Sequence, residues 1–515
     1  MGSINLQRLA LLSDAIGRPD LFAAYWETLH LVPREASTEE LKAFPDSSIS
    51  DSHILSLIKD GIIEPCVNPR SGGACATRLE KIGTHKERFR VIQDLLHANI
   101  FTQDACITSF NPIGSIRAAA AHYAFATSFD LEKCFYQHQL PVSIRDYYAF
   151  KKRNKWYRCT RMAMGHKNAC TLAQIASTII ALAARSKLCL ALDVYIDNIA
   201  AFGSDVETLT KWYEAFCAIC DDLNVSIGER ILPTQMFSHR GLTFNLVSKT
   251  AVMKQSFCEK FANRIAYATA HGSKMSTDHL ESLVGMAAYR EHALPRPGPI
   301  PLFNSIRLLA FCRNAGCSNV HIPTNVLREL RDSATSGSSC NHRLSEVEAE
   351  EKILLASDAS NSGFGAVALI NGTVRSTQGE WGAAEKDLHI NALEMRALRY
   401  AVISLGLWSS KVYAVLDNMT AIAIFRRRYT SSFTLYQELA MTLSEAARRN
   451  VTMSLCYIRS EDNPADAPSR AGVLQPRLVN QWITHFKHLL QLGPTTDGWC
   501  VETADFKGVS PADMS

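Results

Sequence analysis

Residues 188–202 read LCLALDVYIDNIAAF. Two apolar arms flank a polar tip at Ile196-Asp197-Asn198, the pattern of a β-hairpin. Upstream, an apolar strand over 124–129 runs out at Asp130. If the two tips meet, Asp130 and Asp197 can share a pair of Mg2+ ions, because Mg2+ takes oxygen ligands and leaves room for substrate phosphates. Two such ions, about 3.5–4 Å apart, stabilise both the attacking and the leaving oxygen of an in-line phosphoryl displacement. Aspartate is a favoured turn residue, so either one alone reads first as part of a turn. The pair is what points to chemistry.

Residues 331–350 are rich in Ser and Glu, include Gly337, and read as a linker. Beyond them the texture changes. Strands are expected over 352–358, 365–370 and 374–379, a helix over 390–405, a strand over 413–417, a further helix, and a last strand over 453–458. This β-β-β-α-β-α-β order predicts an independent α/β domain. Asp358 and Asp417 end strands, Glu394 lies on the first helix, and Asp466 sits in Asn463-Pro464-Ala465-Asp466-Ala467-Pro468-Ser469-Arg470. Each alone reads as an ordinary surface acid. Four acids from separate elements repel one another unless cations sit between them. The small residues of Gly363-Phe364-Gly365-Ala366 let a neighbouring backbone approach.

The chain has 515 residues, 47% hydrophobic and 20% charged. That is a globular mix of about three or four domains and excludes a disordered or collagen-like chain. A net charge of +4 neither demands nor excludes nucleic acid, so a basic surface has to be local. Residues 145–167 supply one: eight Lys and Arg stand against Asp146 alone, interleaved with Tyr147, Tyr148, Phe150, Trp156 and Tyr157. Lys151, Lys152, Arg153, Lys155 and Lys167 can neutralise phosphates, and Trp156 can stack on a base. A solvated basic hairpin with buried aromatics is the bland alternative. Fifteen cysteines without framework spacing, and no N-terminal signal peptide, predict reduced thiols and an intracellular protein, cytoplasmic or nuclear. The longest apolar stretch, 172–184, is broken by Gln174, Ser177 and Thr178 and is too short and polar to span a bilayer. Cys217 and Cys220 read as core packing, and Cys312, Cys317, Cys340 and His342 match no zinc spacing.

Several segments resemble reverse transcriptase motifs, in order. Phe129-Asp130-Leu131-Glu132-Lys133-Cys134-Phe135 resembles motif A, Met162-Ala163-Met164-Gly165-His166-Lys167-Asn168-Ala169 motif B, and Tyr195-Ile196-Asp197-Asn198 motif C. Arg88-Phe89-Arg90-Val91-Ile92-Gln93-Asp94, with Asn99, resembles the fingers segment, and 276–289 the thumb. The resemblance implies that Asp130 and Asp197 hold metal, that Arg90 contacts the triphosphate, and that Met164 and Gly165 line the nucleotide pocket. It also implies that Phe135 is a steric gate against a 2′-hydroxyl, making the enzyme a DNA polymerase. Asn198 stands where the family usually has a second aspartate; the amide removes a charge and keeps an oxygen acceptor. Asp358, Glu394, Asp417 and Asp466 resemble the acid set of ribonuclease H, with implied two-metal cleavage of the RNA strand of a hybrid. Tyr457 stands where many relatives carry a histidine.

The implied fold is α+β and multidomain: a right-hand polymerase of fingers, palm and thumb followed by an α/β RNase H-like domain. The divisions are an N-terminal helical extension (1–45), fingers and palm (46–250), thumb and connection (251–330), linker (331–350), RNase H domain (351–470) and tail (471–515), the tail carrying an amphipathic helix with Trp482, Phe486, Leu489 and Leu490. The implied cofactor is Mg2+ or Mn2+, two ions per site. The implied partners are an RNA template, a DNA or RNA primer, the RNA/DNA hybrid and dNTPs. Within reverse transcriptases, the Tyr-Ile-Asp-Asn box, the Asn463–Arg470 ending and the lack of protease and integrase signatures look most like the DIRS-like, tyrosine-recombinase retrotransposons. Two rivals remain: a decayed or domesticated element that binds hybrid without polymerising, and an RNA-templated RNA polymerase.

Overall fold

The computed structural model describes residues 2–82, 86–105, 110, 113–186, 188–270, 274–294, 298–335, 342–344, 351–487 and 490. The chain is mixed α+β with several sheets and divides into two compact units, Met1–Asn111 with Tyr123–Arg240, and Pro112–His122 with Gly241–Ser515. No described helix is long and apolar enough to cross a membrane.

The first unit is built on a four-stranded antiparallel sheet in the order Ala191–Tyr195, Asn198–Gly203, Phe125–Leu131, Ile227–Thr234. Helices Ala169–Arg185 and Val206–Asp222 pack on it. The first is almost wholly apolar and Ala-rich, a composition that costs little helix entropy, and Leu172, Ala173, Ile179 and Ile180 are fully buried. Phe129 stacks on Phe216 of the second helix at 4.4 Å between ring centroids. The N-terminal segment is helical, as its spacing predicts: Leu6–Ala15 and Pro19–His30 lie against Ala169–Arg185 and bury Leu9, Tyr25 and Leu29. The Tyr25 hydroxyl meets Nδ1 of buried His138 at 2.9 Å. A second sheet runs Ile63–Pro65, Lys155–Cys159, Ala149–Lys152, Gly72–Ile82, Lys86–Asp94. The helix through the apolar stretch 172–184 starts at Ala169, downstream of Gly165, whose φ of +112 is outside helical backbone.

In the second unit, helices Gln255–Ala270, Thr277–Ala293, Phe303–Asn314 and Thr324–Thr335 share a core of Phe261, Leu280, Leu283 and Leu330. Most of the linker expected over 331–350 lies outside the described residues; the last helix continues to Thr335, and its buried Ser333 donates to Glu291. Downstream is a five-stranded sheet in the order Thr373–Glu380, Gly363–Ile370, Glu351–Ala359, Ser410–Leu416, Thr452–Tyr457, antiparallel through its first three strands and parallel through the last three. Two helices, Met419–Arg427 and Phe433–Arg448, stand where one was expected. Ile353, Leu355, Val412 and Ala414 face one core with Leu398, Phe425 and Leu439. Their neighbours Leu354, Ala356, Tyr413 and Val415 face the other, with Val479, Trp482 and Phe486. Burial on both faces is why these strands read as continuous apolar runs.

The helix Pro476–Phe486 therefore covers one face of this sheet, although it lies in the stretch read as a tail; Leu489 is outside the described residues. Trp482→Ala is expected to destabilise the second unit by about 3–5 kcal/mol, the usual cost of emptying a buried tryptophan site. Urea unfolding followed by far-UV circular dichroism checks this, and an unchanged midpoint would mean that the helix is not part of the core.

Candidate active sites

In the first unit, antiparallel pairing of Phe125–Leu131 with Asn198–Gly203 sets Asp130 opposite Asn198. The Leu131 amide donates to the Asp197 carbonyl at 3.0 Å. The hairpin is closed by Tyr195 and Asn198, leaving Ile196 and Asp197 as its turn. Ile196 adopts φ +58, an outlier for a β-branched residue. Helix Ala169–Arg185 holds it there. Gln174 donates to the Val194 carbonyl at 2.9 Å and accepts from the Ile196 amide at 2.8 Å, and Ser177 donates to the Ile196 carbonyl at 2.6 Å. The Asn198 amide donates to Oδ1 of Asp197 at 2.8 Å, so this residue steadies the aspartate.

Asp130 and Asp197 line one cavity of about 420 Å3 together with Leu131, Cys134, Phe135 and Met164. Burial, then the nearby Asp197 and Asp130 carboxylates, push the Cys134 thiol up, so it stays a neutral wall. Gly165 does not line the cavity. It lets the loop pass Gln93, whose carbonyl a Cβ would strike, while the Gln93 amide donates to the Met164 carbonyl at 3.3 Å. Asn99 brackets the same loop, donating to the Gly165 carbonyl at 2.8 Å and accepting from the Lys167 amide at 3.0 Å. Arg90 lies in the strand Lys86–Asp94 opposite Arg78, and its side chain is outside the described residues.

The basic segment forms a hairpin of Ala149–Lys152 and Lys155–Cys159, turning on Arg153 and Asn154, both at positive φ. Much of its charge is answered internally. Lys151 and Lys152 donate to the carbonyls of Lys42 and Ser47. Arg153 pairs with Asp51 at 2.7 Å, and Lys167 with Asp104 at 2.9 Å. Arg158 pairs with both Glu64 and Asp146, and Arg145 with Glu64. Trp156 meets the edge of Phe44. Lys155 is exposed.

In the second unit, the strand end at Asp358, the helix residue Glu394 and Asp417 after strand Ser410–Leu416 come together. Their ligand oxygens all lie within 4.8 Å of one another. They line a cavity of about 370 Å3 with Ser360, Asn418 and Arg470. Asp358 Oδ2 and Glu394 Oε2 are buried without a hydrogen-bond partner. Burial first, then neighbouring carboxylates, raise Asp358 to about 6 and Glu394 to about 9. Bare carboxylate oxygens crowded this closely suit a hard divalent cation. Asp466 is not among the three; it pairs with Arg470 at 3.0 Å. Its segment is nonetheless tied to the Asp358 strand. Buried Asn463 donates to the Ser357 carbonyl at 3.1 Å, and Ser360 donates to the Ser469 carbonyl at 2.6 Å. Gly365 makes this approach possible, since a Cβ there would strike the backbone of Ser469 and Ala465. Tyr457 is exposed at the end of its strand. Arg426 is turned inward, donating to the Leu455 carbonyl at 3.4 Å.

The residues that sequence reasoning missed are supports. Gln174 and Ser177 were visible only as polar breaks in an apolar run. Buried Asp193, held by His239 at 2.9 Å and by Arg240, which lies over the Tyr195 ring, left no pattern at all.

No protein-family model matches the chain, and a search of curated proteins finds no relative. Solved structures similar to it include a foamy viral protease–reverse transcriptase in complex with double-stranded DNA (14% identity over 82% of this chain and 71% of that one, TM-score 0.46). Another is the foamy viral protein in complex with an RNA/DNA hybrid (14% identity, 88% and 61%, TM-score 0.45). At these scores and identities the likeness carries no functional weight.

The raised carboxyls set a pH dependence. Both groups bind protons more tightly folded than unfolded, where 3.8 and 4.5 are ordinary. Without a cation, stability present at low pH is therefore lost as pH rises through about 6 for Asp358 and about 9 for Glu394. A divalent cation competes with those protons. Mn2+ is expected to raise the melting temperature of Asp130→Asn/Asp197→Asn protein more at pH 8 than at pH 5.5, read by differential scanning calorimetry; an equal rise at both would rule out binding at these acids.

Proposed function

We propose that the chain is an RNA-directed DNA polymerase, also able to copy DNA, with a ribonuclease H activity that degrades the RNA strand of the hybrid product. The observation that carries this reading is the strand pairing that puts Asp130 and Asp197 on one cavity wall with Phe135. The second acid group, Asp358, Glu394 and Asp417, supports the hydrolytic half.

Asp130 and Asp197 would hold Mg2+ or Mn2+ in one unit, and Asp358, Glu394 and Asp417, joined by Asp466, would hold it in the other. Bound ions would supply charge stabilisation of the phosphoryl transition state and an activated water for hydrolysis. The chain's own residues do the positioning. The Asn198 amide orients Asp197, and the clamp from Gln174 and Ser177 keeps the turn in place. Phe135 closes the wall where the sugar of an incoming dNTP would lie, with Met164 and the Gly165 loop beside it. Arg90 is assigned to the triphosphate. Lys151, Lys152, Arg153, Lys155, Trp156 and Lys167 are assigned to the backbone of template or primer, Arg153 and Lys155 being the exposed members.

In this reading fingers and palm occupy 46–250 behind the helical extension 1–45, thumb and connection 251–330, and the RNase H domain 351–470 beyond the linker 331–350, with 471–515 following. The parts form a right-hand polymerase in a retroelement protein of the DIRS-like group, acting in cytoplasm or nucleus. The amide at Asn198 favours one second reading, a decayed element that binds or cleaves hybrid without polymerising.

Primer extension on an RNA template with dNTPs, in Mg2+ and then Mn2+, separates the two. Extension should be present in the natural protein and absent in Asp197→Ala. No extension in either metal, with Asn198→Asp also inactive, would remove the polymerase reading. Phe135→Ala is expected to admit ribonucleotides; if it excludes them as well as the natural protein does, Phe135 is not the gate.

A further inference from the structure

We propose that Arg470 is a resident cation of the acid cavity, which holds Asp466 away from Asp358, Glu394 and Asp417 and yields it to an incoming divalent ion. This deepens the hydrolytic site proposed above and rests on it, assigning Arg470 as a positioning residue.

Arg470 is the one basic side chain on the wall of that cavity among the described residues. Its Nη2 and Nε both donate to Oδ1 of Asp466, at 3.0 and 3.2 Å. The pairing follows from spacing. Asp466 opens the short helix Asp466–Ser469 and Arg470 follows it, so residues four apart stand on one side.

The backbone around the pair is fixed. The Asp466 amide donates to the Asn463 carbonyl at 3.2 Å, and the Ser469 hydroxyl donates to the Asp466 carbonyl at 2.8 Å. Asn463 and Ser360 tie this segment to the strand bearing Asp358. What remains able to rearrange is the two side chains, and these are the exposed part, at 62% for Arg470 and 35% for Asp466.

Charge gives the pairing a purpose. Three acid groups whose oxygens lie within 4.8 Å of one another ionise more readily with positive charge nearby. Without a metal, the guanidinium supplies it from the rim, where it lowers the Asp358 carboxyl and so offsets part of the repulsion from Asp417 and Asp466. An exposed pair of this kind is weak, so a divalent ion, with twice the charge and direct carboxylate ligation, displaces it. Arg470 therefore competes with the ion for Asp466.

The test is calorimetric titration of Mn2+ into the full-length chain carrying Asp130→Asn and Asp197→Asn, which removes the other candidate ion site. Adding Arg470→Gln should tighten Mn2+ binding by about two- to fivefold, the range set by an exposed ion pair. In an Asp466→Asn background the same change should give no gain. Unchanged or weaker binding in Arg470→Gln would overturn the inference while leaving the hydrolytic site intact. Absence of Mn2+ binding before Arg470 is altered would overturn both. Should Arg470→Gln fail to fold, Arg470→Lys keeps the charge but loses the two-nitrogen grip; it should show a smaller gain, and no gain would again overturn the inference.

Discussion

Like-charged carboxylates held a few ångströms apart repel, and the acid site of the second unit is organised around that constraint. In the second unit burial, and after it the nearness of the other acids, raises Asp358 and Glu394 above ordinary carboxyls. Such an arrangement persists only if the scaffold is rigid enough to outweigh it. The scaffold here is a sheet buried on both faces, with Asp358 and Asp417 at the ends of adjacent parallel strands and Glu394 on a helix packed against them.

The first unit brings its two aspartates to one cavity with different parts. Its two aspartates come from a strand end and a hairpin tip, and the tip needs an isoleucine in left-handed backbone. Buried polar groups seldom sit in an apolar helix without a task, since an unmade hydrogen bond there costs about 1–3 kcal/mol. Gln174 and Ser177 meet that cost by bonding the turn. Asn198, next to the aspartate, adds a donor where a second acid would add charge.

The basic segment shows what local composition leaves out. Its excess of Lys and Arg suggested an open track for phosphates, but acids distant in sequence, Asp51, Glu64 and Asp104, lie against it. Only a fold can bring those charges together, and what is left exposed at the hairpin is a smaller patch around Lys155.

Strand and helix positions around the acids were legible because they depend on local patterning: apolar runs ending at Asp130, Asp358 and Asp417, and a polar tip between apolar arms at Asp197. That Asp358, Glu394 and Asp417 belong together was implied by the resemblance of the four acids to a ribonuclease H set, and the structure brings these three within 4.8 Å. The tertiary structure decided the rest. It paired Asp466 with Arg470, set Gln174 under the hairpin turn, and chose the sheet face on which the amphipathic helix Pro476–Phe486 packs. These outcomes depend on which side chains lie within reach across the fold, and periodicity along a chain carries no information about distances across it.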